Sequence, residues 1–510
     1  MAKIVCSKCR CSNADSRNFC EKCGAFLHAK DFNEKFYNLP EVKMMRVVDN
    51  LLHVPHEPIH WDKLIDAYSA NVERLDALFR IPGMGAENNA AVVQKVKDFL
   101  ALCRNPEFQI AFVGTIKTGK STLINALLGK NYASMAVTPE TAALTKFRAS
   151  PRDYVKITFY TKSEWDKLWA SRTEGASAFM REYEELDGDK HKDKWINHAP
   201  QYKQMTNDEI EDELKIWSSS KHAEHYFVKE IEVGISTLGK DFPPQVVFVD
   251  TPGLSDPVAY RSDLTKEYIR RANAVFVCID AQKIQREEIE TISSVFAFSS
   301  DNKSKVHIIA THWDALNDPE TDWAEQKSYL VKRLTGAAFF DKQEQAAENI
   351  MHSAAFIHNL CRDYDSLGKK GRIALKRFAL NFDYDLPADL RKLEAKTNIA
   401  AVMKVIRDKL AANYKKLLAH EIQSKFTDIK YDFTRVAQEK KESMTELLKA
   451  SRSSGRELEQ KIREQQTKRD AVKHSAEQLR EIIKQVKFKT NTRADVICGK
   501  LRLKLSEGKR

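Results

Sequence analysis

The chain has 510 residues, 42% apolar and 30% charged, which at roughly 150 residues per domain makes about three domains. That apolar share excludes wholesale disorder and fibrous repeats, and no run nears the roughly 18 apolar residues of a membrane-spanning helix. The net charge of +11 is concentrated late, with 23 basic against 14 acidic residues over 421–510 and 9 against 2 over 484–510; this suits an anionic membrane or nucleic acid as well as it suits a merely solvated helical face.

In chain order, the first block is 1–28. Cys6, Cys9, Cys20 and Cys23 stand as C-x2-C-x10-C-x2-C, two knuckles whose four thiolates close a tetrahedron around structural Zn²⁺. So short a block cannot fold on its own apolar area, so the metal is the expected staple. A four-thiolate site leaves no open position for chemistry, so the expected role is that of an adaptor, and Cys11 is surplus. The remaining cysteines are scattered and Met1–Cys6 has no apolar signal region, which together point to a soluble chain of a reducing, intracellular compartment.

Residues 40–104 read as a helical segment. Trp61, Leu64, Ile65, Tyr68, Val72, Leu75 and Leu78 recur at spacings of three or four. From 105 to 380 short β-rich runs alternate with helical ones, the pattern of an α/β domain with a mostly parallel sheet. Strands are expected at 109–113, 155–159, 227–235, 246–250, 274–279 and 306–311, with a charged, tryptophan-dotted helical insertion around 164–225. Residues 385–510 read as helical, bent near 451–455. Leu458, Ile462, Val472, Leu479, Ile483 and Val486 give the second half the heptad rhythm of a packed seam, weakened by Gln465 and Arg469.

The strongest chemical signal is Gly114, Thr115, Ile116, Lys117, Thr118, Gly119, Lys120 and Ser121, a full G-x-x-x-x-G-K-S between an expected strand and a helix opening at Ser121 and Thr122. Its backbone N–H groups suit phosphates, Lys120 the β- and γ-phosphates, and the Ser121 hydroxyl a Mg²⁺ ion. Asp250 closes the apolar run Val246–Val249, where an α/β strand points a side chain into the ligand crevice; it can hold Mg²⁺ through water while the Gly253 N–H meets the γ-phosphate. Thr311, His312 and Asp314 follow a further strand. Asp314 suits the guanine edge, with His312 standing where a lysine stem usually packs on the base. Ser353 and Ala354 match a short element that closes such a base pocket.

These motifs in this order resemble the dynamin superfamily of large GTPases, specifically its bacterial dynamin-like members, over about 108–360. Supporting stretches are Gly114–Leu128, 139–145 and 250–256. The resemblance implies GTP hydrolysis to GDP, with Thr141 as the switch-I residue that completes the Mg²⁺ site. It casts the flanking helices as neck and stalk. It implies that two G domains meet face to face across the nucleotide, coupling hydrolysis to membrane or vesicle work, with a cytoplasmic chain peripheral to the inner face of the cell membrane. Leu254 replaces the water-orienting glutamine of small GTPases, and Lys117 stands where guanylate-binding relatives carry an arginine, so a cation supplied in cis is expected to assist catalysis. The stalk reads short for this family, and the basic end fits a truncated one. No hydrophobic paddle is evident; the nearest apolar stretch is 336–340. The alternative is a regulatory GTPase or adaptor acting on a protein partner or, with less support, on nucleic acid. No Leu-Ser-Gly-Gly-Gln signature favours a transporter-type ATPase.

Elemental analysis of protein purified without chelator is expected to show about one Zn²⁺ per chain. Cys20→Ser should lose it while leaving nucleotide turnover nearly unchanged; a metal content near zero rejects the ribbon.

Overall fold

The computed structural model describes residues 3–5, 10–14, 61–81, 86, 89–115, 117–133, 143–171, 177–218, 222–254, 259–284, 286–300, 302–451 and parts of 463–485. The chain divides into two units. One comprises Met1–Pro58, Ala67–Lys97 and Phe426–Arg510; the other comprises Ile59–Asp66 and Asp98–Lys425.

In the first unit, β1 (Lys3–Val5) and β2 (Ser12–Ala14) pair antiparallel, Val5 opposite Ser12. Cys6, Cys9, Cys20 and Cys23 lie outside the described residues, and among the described residues no group of three or more His, Cys, Asp or Glu is placed to hold a metal. The unit's core is built by stretches far apart in sequence. Tyr68 stacks on Phe426 with ring centroids 4.3 Å apart, and Phe79 meets Phe433 edge-on at 5.2 Å. Val72, Leu75, Val96 and Val436 are buried with them, at about 1.5–3 kcal/mol for each such side chain taken out of water. Lys95 and Asp432 add an ion pair at 2.6 Å. Helical residues recur between 463 and 482, as the heptad rhythm predicts, but Leu479 is 59% exposed. Among the described residues, no apolar surface covers that position.

The second unit is built on a nine-stranded sheet. Its strands are β3 (Phe108–Gly114), β4 (Leu144–Ala149), β5 (Tyr154–Phe159), β6 (Gln201–Gln204), β7 (Val228–Ile235), β8 (Val246–Asp250), β9 (Ala274–Asp280), β10 (Val306–Thr311) and β11 (Ile350–His352). Their spatial order is β11-β10-β9-β3-β8-β4-β7-β5-β6. The pairs β10/β11, β9/β10, β3/β9, β3/β8 and β4/β7 are parallel, while β4/β8, β5/β7 and β5/β6 are antiparallel. The α/β domain with a mostly parallel sheet is thus present. Between β5 and β7 run β6 and the helices Lys162–Ala170, Ser177–Glu185, Gly188–Trp195 and Asn207–Ser218, packed around Trp165, Trp195, Tyr226 and Phe227.

Strands β3, β8, β9 and β10 coincide with continuous apolar runs, since a strand covered on both faces must be apolar throughout. β4, β6 and β11 are absent from the sequence expectations. β6 has four residues, of which only Tyr202 is apolar and that one is exposed, and β11 has three residues. β4 is hidden by charge: Lys146 and Arg148 occupy one of its faces, yet the strand lies between β8 and β7. Both cations are largely buried and satisfied by carboxylates. Lys146 Nζ lies 3.0 Å from Glu230 and 3.8 Å from Glu107, while Arg148 pairs with Glu107 and lies 3.2 Å from Glu232. Tyr154 donates its hydroxyl to Glu232 at 2.7 Å. Burial alone would push the Lys146 ammonium down, but Glu230 and Glu107 hold it above the lysine range. Burial alone would push Glu107 up, but Lys146 and Arg148 hold it below the carboxylate range.

Of the apolar stretch 336–340, the two phenylalanines pack on the core, Phe340 fully buried and meeting Phe296 at 4.9 Å, while Gly336, Ala337 and Ala338 are exposed. Among the described residues, no helix is long and apolar enough to cross a membrane.

Removing one member of the β4 charge network leaves its buried opposite charges short of compensation. Arg148→Met should lower the unfolding free energy at pH 7 by about 3 kcal/mol in urea titrations. Because Glu107 has a depressed folded pKa, its contribution is present above its unfolded pKa and lost as pH falls through the folded one. The difference between wild type and variant should therefore shrink on acidification.

Candidate functional site

β3 ends at Gly114, and the loop that follows runs into the helix Lys120–Leu128, opened and closed by the left-handed residues Gly119 and Gly129. The glycines are needed for space as well as for conformation. A Cβ on Gly114 would lie 2.6 Å from Thr118 Oγ1 and 2.8 Å from the Cys278 carbonyl oxygen. Gly119 has φ +72°, and a Cβ there would meet His312 Nε2 at 3.1 Å. The Thr118 hydroxyl closes the loop by donating to the Thr115 carbonyl at 2.9 Å. Lys117 also sits at positive φ (67°), a conformation that costs a non-glycine residue roughly 1–2 kcal/mol. Its side chain is exposed and makes no ion pair or hydrogen bond with any described residue.

The register of β3 against β8 sets Phe112 opposite Asp250, which brings the loop beside that carboxylate. Asp250 is only 1% exposed. Lys120 pairs with it and also donates to the Thr251 carbonyl at 2.5 Å. The Ser121 hydroxyl lies 3.4 Å from the other Asp250 oxygen. Thr251 anchors the turn by donating its hydroxyl to the Phe112 carbonyl at 2.9 Å. The half-buried Gly253 follows, and Leu254 packs its side chain against the core while its N–H reaches the Gly114 carbonyl at 3.4 Å.

At the other end, the Thr311 hydroxyl bridges the loop and the neighbouring strand through the carbonyls of Thr118 (2.5 Å) and Ile279 (2.8 Å). His312 adopts φ +54° and points Nδ1 at Asp280, 3.2 Å away. Burial pushes the Asp314 carboxyl above the carboxylate range, and its Oδ1 is buried without a hydrogen-bond partner. Ser353 donates its N–H to Ala310 at 2.8 Å and accepts from the Trp313 N–H at 3.4 Å, leaving its hydroxyl also unpartnered. Ala354 donates its N–H to Thr397 at 3.0 Å. Trp313 stacks near His352 at 4.5 Å, and burial pushes the His352 imidazole down to about 4, so the wall beside it is neutral.

The structure thus gathers Gly114, Thr115, Thr118, Gly119, Lys120, Ser121, Asp250 and Gly253 at one end. Thr311, His312, Asp314, Ser353 and Ala354 form the other. The half-buried Thr122 accepts from Asn359 at 3.3 Å. Ile116 and Thr141 lie outside the described residues. Sequence reasoning missed several supporting groups. The buried Asn125 brackets Ala133 through its side-chain amide, donating at 2.8 Å and accepting at 2.7 Å. Arg362 reaches the Asn125 carbonyl (3.4 Å) and Asn131 (3.1 Å). Asp280 meets His312. An asparagine inside a helix was a weak signal; the others had none. The adjacent Ser121 hydroxyl and buried Asp250 carboxylate are hard oxygen donors of the kind Mg²⁺ takes, and the two unpartnered acceptors at Asp314 and Ser353 suit a ligand with donor hydrogens.

Residues 110–310 match the family model described as Dynamin family. Dynamin-like protein 1 of Campylobacter jejuni is 29% identical over 266 residues, 52% of this chain and 34% of that protein. A bacterial dynamin-like protein of Nostoc punctiforme is 24% identical over 206 residues, 40% of this chain and 25% of its own. The chain therefore spans about a third or less of the curated relatives it matches. Among solved structures, one from an oligomerised bacterial dynamin pair described as sensing and tethering membranes aligns over 88% of this chain and 72% of its own, at 18% identity and TM-score 0.42. Another, the LeoA bacterial dynamin GTPase from ETEC, aligns over 74% and 48% at 17% identity and TM-score 0.31. Residues 110–310 are thus similar to a dynamin-family GTPase domain.

Since a Cβ at Gly114 must displace Thr118 or the β9 backbone, Gly114→Ala should weaken binding of a fluorescent GTP analogue at least tenfold in equilibrium titration, which about 1.4 kcal/mol of loop distortion suffices to produce.

Proposed function

We propose that this domain binds GTP with Mg²⁺ and hydrolyses it to GDP and phosphate, and that the chain works as a dynamin-like mechanoenzyme. The observation that carries the reading is the convergence of Lys120, Ser121 and the buried Asp250 where β3 and β8 end. In this reading Lys120 leaves Asp250 for the β- and γ-phosphates, and the backbone N–H groups of 114–122 cradle them. Ser121 and Asp250, with Thr141 from switch I, hold the Mg²⁺, which when bound offsets phosphate charge. The Gly253 N–H meets the γ-phosphate. Asp314 accepts from the guanine edge, with Thr311, His312, Ser353 and Ala354 shaping the pocket; the unpartnered Asp314 oxygen supports this assignment.

Leu254, turned into the core, has no group to orient the attacking water, so that task falls to the switch-I backbone. Lys117 is free to reach across the phosphates, and a second copy docked over the nucleotide would exclude water and strengthen its charge. Self-association of G domains is thus part of the proposal, as is work on an anionic membrane through the helical segments. The zinc ribbon formed by Cys6, Cys9, Cys20 and Cys23 is included as an adaptor.

Turnover of GTP and ATP measured over a hundredfold range of protein concentration tests the reading. GTP should be preferred, specific activity should rise with concentration, and Lys120→Ala should show no measurable hydrolysis. Undiminished turnover in Lys120→Ala rejects the enzymatic assignment, and a flat concentration profile rejects activation by dimerisation.

A further inference from the structure

The helix Lys369–Leu380 carries apolar residues on two opposite faces. Leu375, Phe378 and Ala379 face inward and are buried, Phe378 meeting Trp313 edge-on at 5.8 Å. Ile373 and Leu380 face outward, 56% and 74% exposed. Seven residues apart, they lie on one line along the helix. Lys369, Lys370, Arg372, Lys376 and Arg377 surround that line, and the helix contains no acidic residue. The nearest acids in sequence, Asp365 and Asp383, lie beyond its two ends.

Some surface lysines on other helices of this chain are paired, as Lys162 is with Asp166 and Lys215 with Glu211. None of these five cations forms an ion pair with a described residue. Arg372 instead donates to the Leu367 carbonyl at 3.1 Å and lies over the Tyr364 ring at 5.2 Å. Beside them is a groove of about 540 Å³ lined by Tyr364, Lys369, Arg372, Ile373, Lys376 and Leu386.

We propose that the outer face of this helix is a membrane-contact surface that lies flat on anionic lipid. The cations meet lipid phosphates, the groove admits a headgroup, and Ile373 and Leu380 enter the boundary between headgroups and acyl chains. An apolar centre ringed by unpaired cations is what an interfacial helix requires. A nucleic acid would satisfy the cations but has no apolar layer to receive Ile373 and Leu380. The placement differs from both the basic C-terminal run and the apolar stretch 336–340. It deepens the proposed membrane role by assigning the contact to the nucleotide-binding unit, where Phe378 joins the same helix to Trp313, the residue between His312 and Asp314.

The contact rests on that membrane role only for its purpose, because lipid binding is read without nucleotide. The experiment is flotation of the full chain with vesicles of phosphatidylcholine alone or mixed with phosphatidylglycerol. Wild type should favour the anionic vesicles at least tenfold. Lys369→Glu/Arg372→Glu/Lys376→Glu should reduce that binding a hundredfold or more, given the contribution of each cation near an anionic surface. Ile373→Ser/Leu380→Ser should reduce it about tenfold through lost apolar insertion, at positions exposed enough to leave folding intact. Both variants should keep wild-type GTP turnover in solution, which separates failure here from failure of the GTPase reading. The proposal is overturned if either helix variant floats as wild type does, if neutral and anionic vesicles bind alike, or if duplex DNA binds more tightly than the anionic vesicles and is released by the same variants.

Discussion

A carboxylate as buried as Asp250 needs a cation against it, and meeting that need shapes the ligand-facing end of the sheet. An ion taken out of water without a partner costs several kcal/mol. Lys120 supplies the partner, but only because β3 runs parallel to β8 with Phe112 opposite Asp250. The loop after β3 must then pass close over the strand ends, which is why Gly114 has no room for a side chain and Gly119 must turn left-handed. Under the proposed function, phosphates entering this site would not bury a new charge so much as exchange partners: Lys120 would transfer to them, and Asp250 would be left for a cation shared with Ser121.

The same electrostatic logic recurs inside the sheet. β4 brings two cations between β8 and β7, and three glutamates neutralise them. The network pins β4 through Lys146 and Arg148, while Asn125 pins Ala133 through two hydrogen bonds.

Trp313 organises the end of the site beyond β10. On one side it meets His352, kept neutral by burial; on others it meets Phe378 and Phe382. This packing holds the loop bearing His312 and Asp314 between β10, the Ser353 turn and the helix Lys369–Leu380. Asp280, at the end of the adjacent strand, receives the His312 ring where a lysine would otherwise extend.

The sequence by itself determined the parts governed by local backbone chemistry. The glycine spacing around Lys120, the apolar runs of β3, β8, β9 and β10, and the positions of Asp250 and Asp314 at strand ends were legible because each is a short-range pattern. Only the tertiary structure decided that β4 is an inner strand, since Lys146 and Arg148 look solvated until Glu107, Glu230 and Glu232 are brought to them; Glu107 and Arg148 are 41 residues apart. It likewise decided that Asp280 meets His312, that Arg362 supports the phosphate-loop helix from 237 residues away, and that Ile373 and Leu380 face outward while Phe340 is buried. A side chain's charge or hydrophobicity is written in the sequence, but whether it is satisfied depends on partners that only the fold brings within reach.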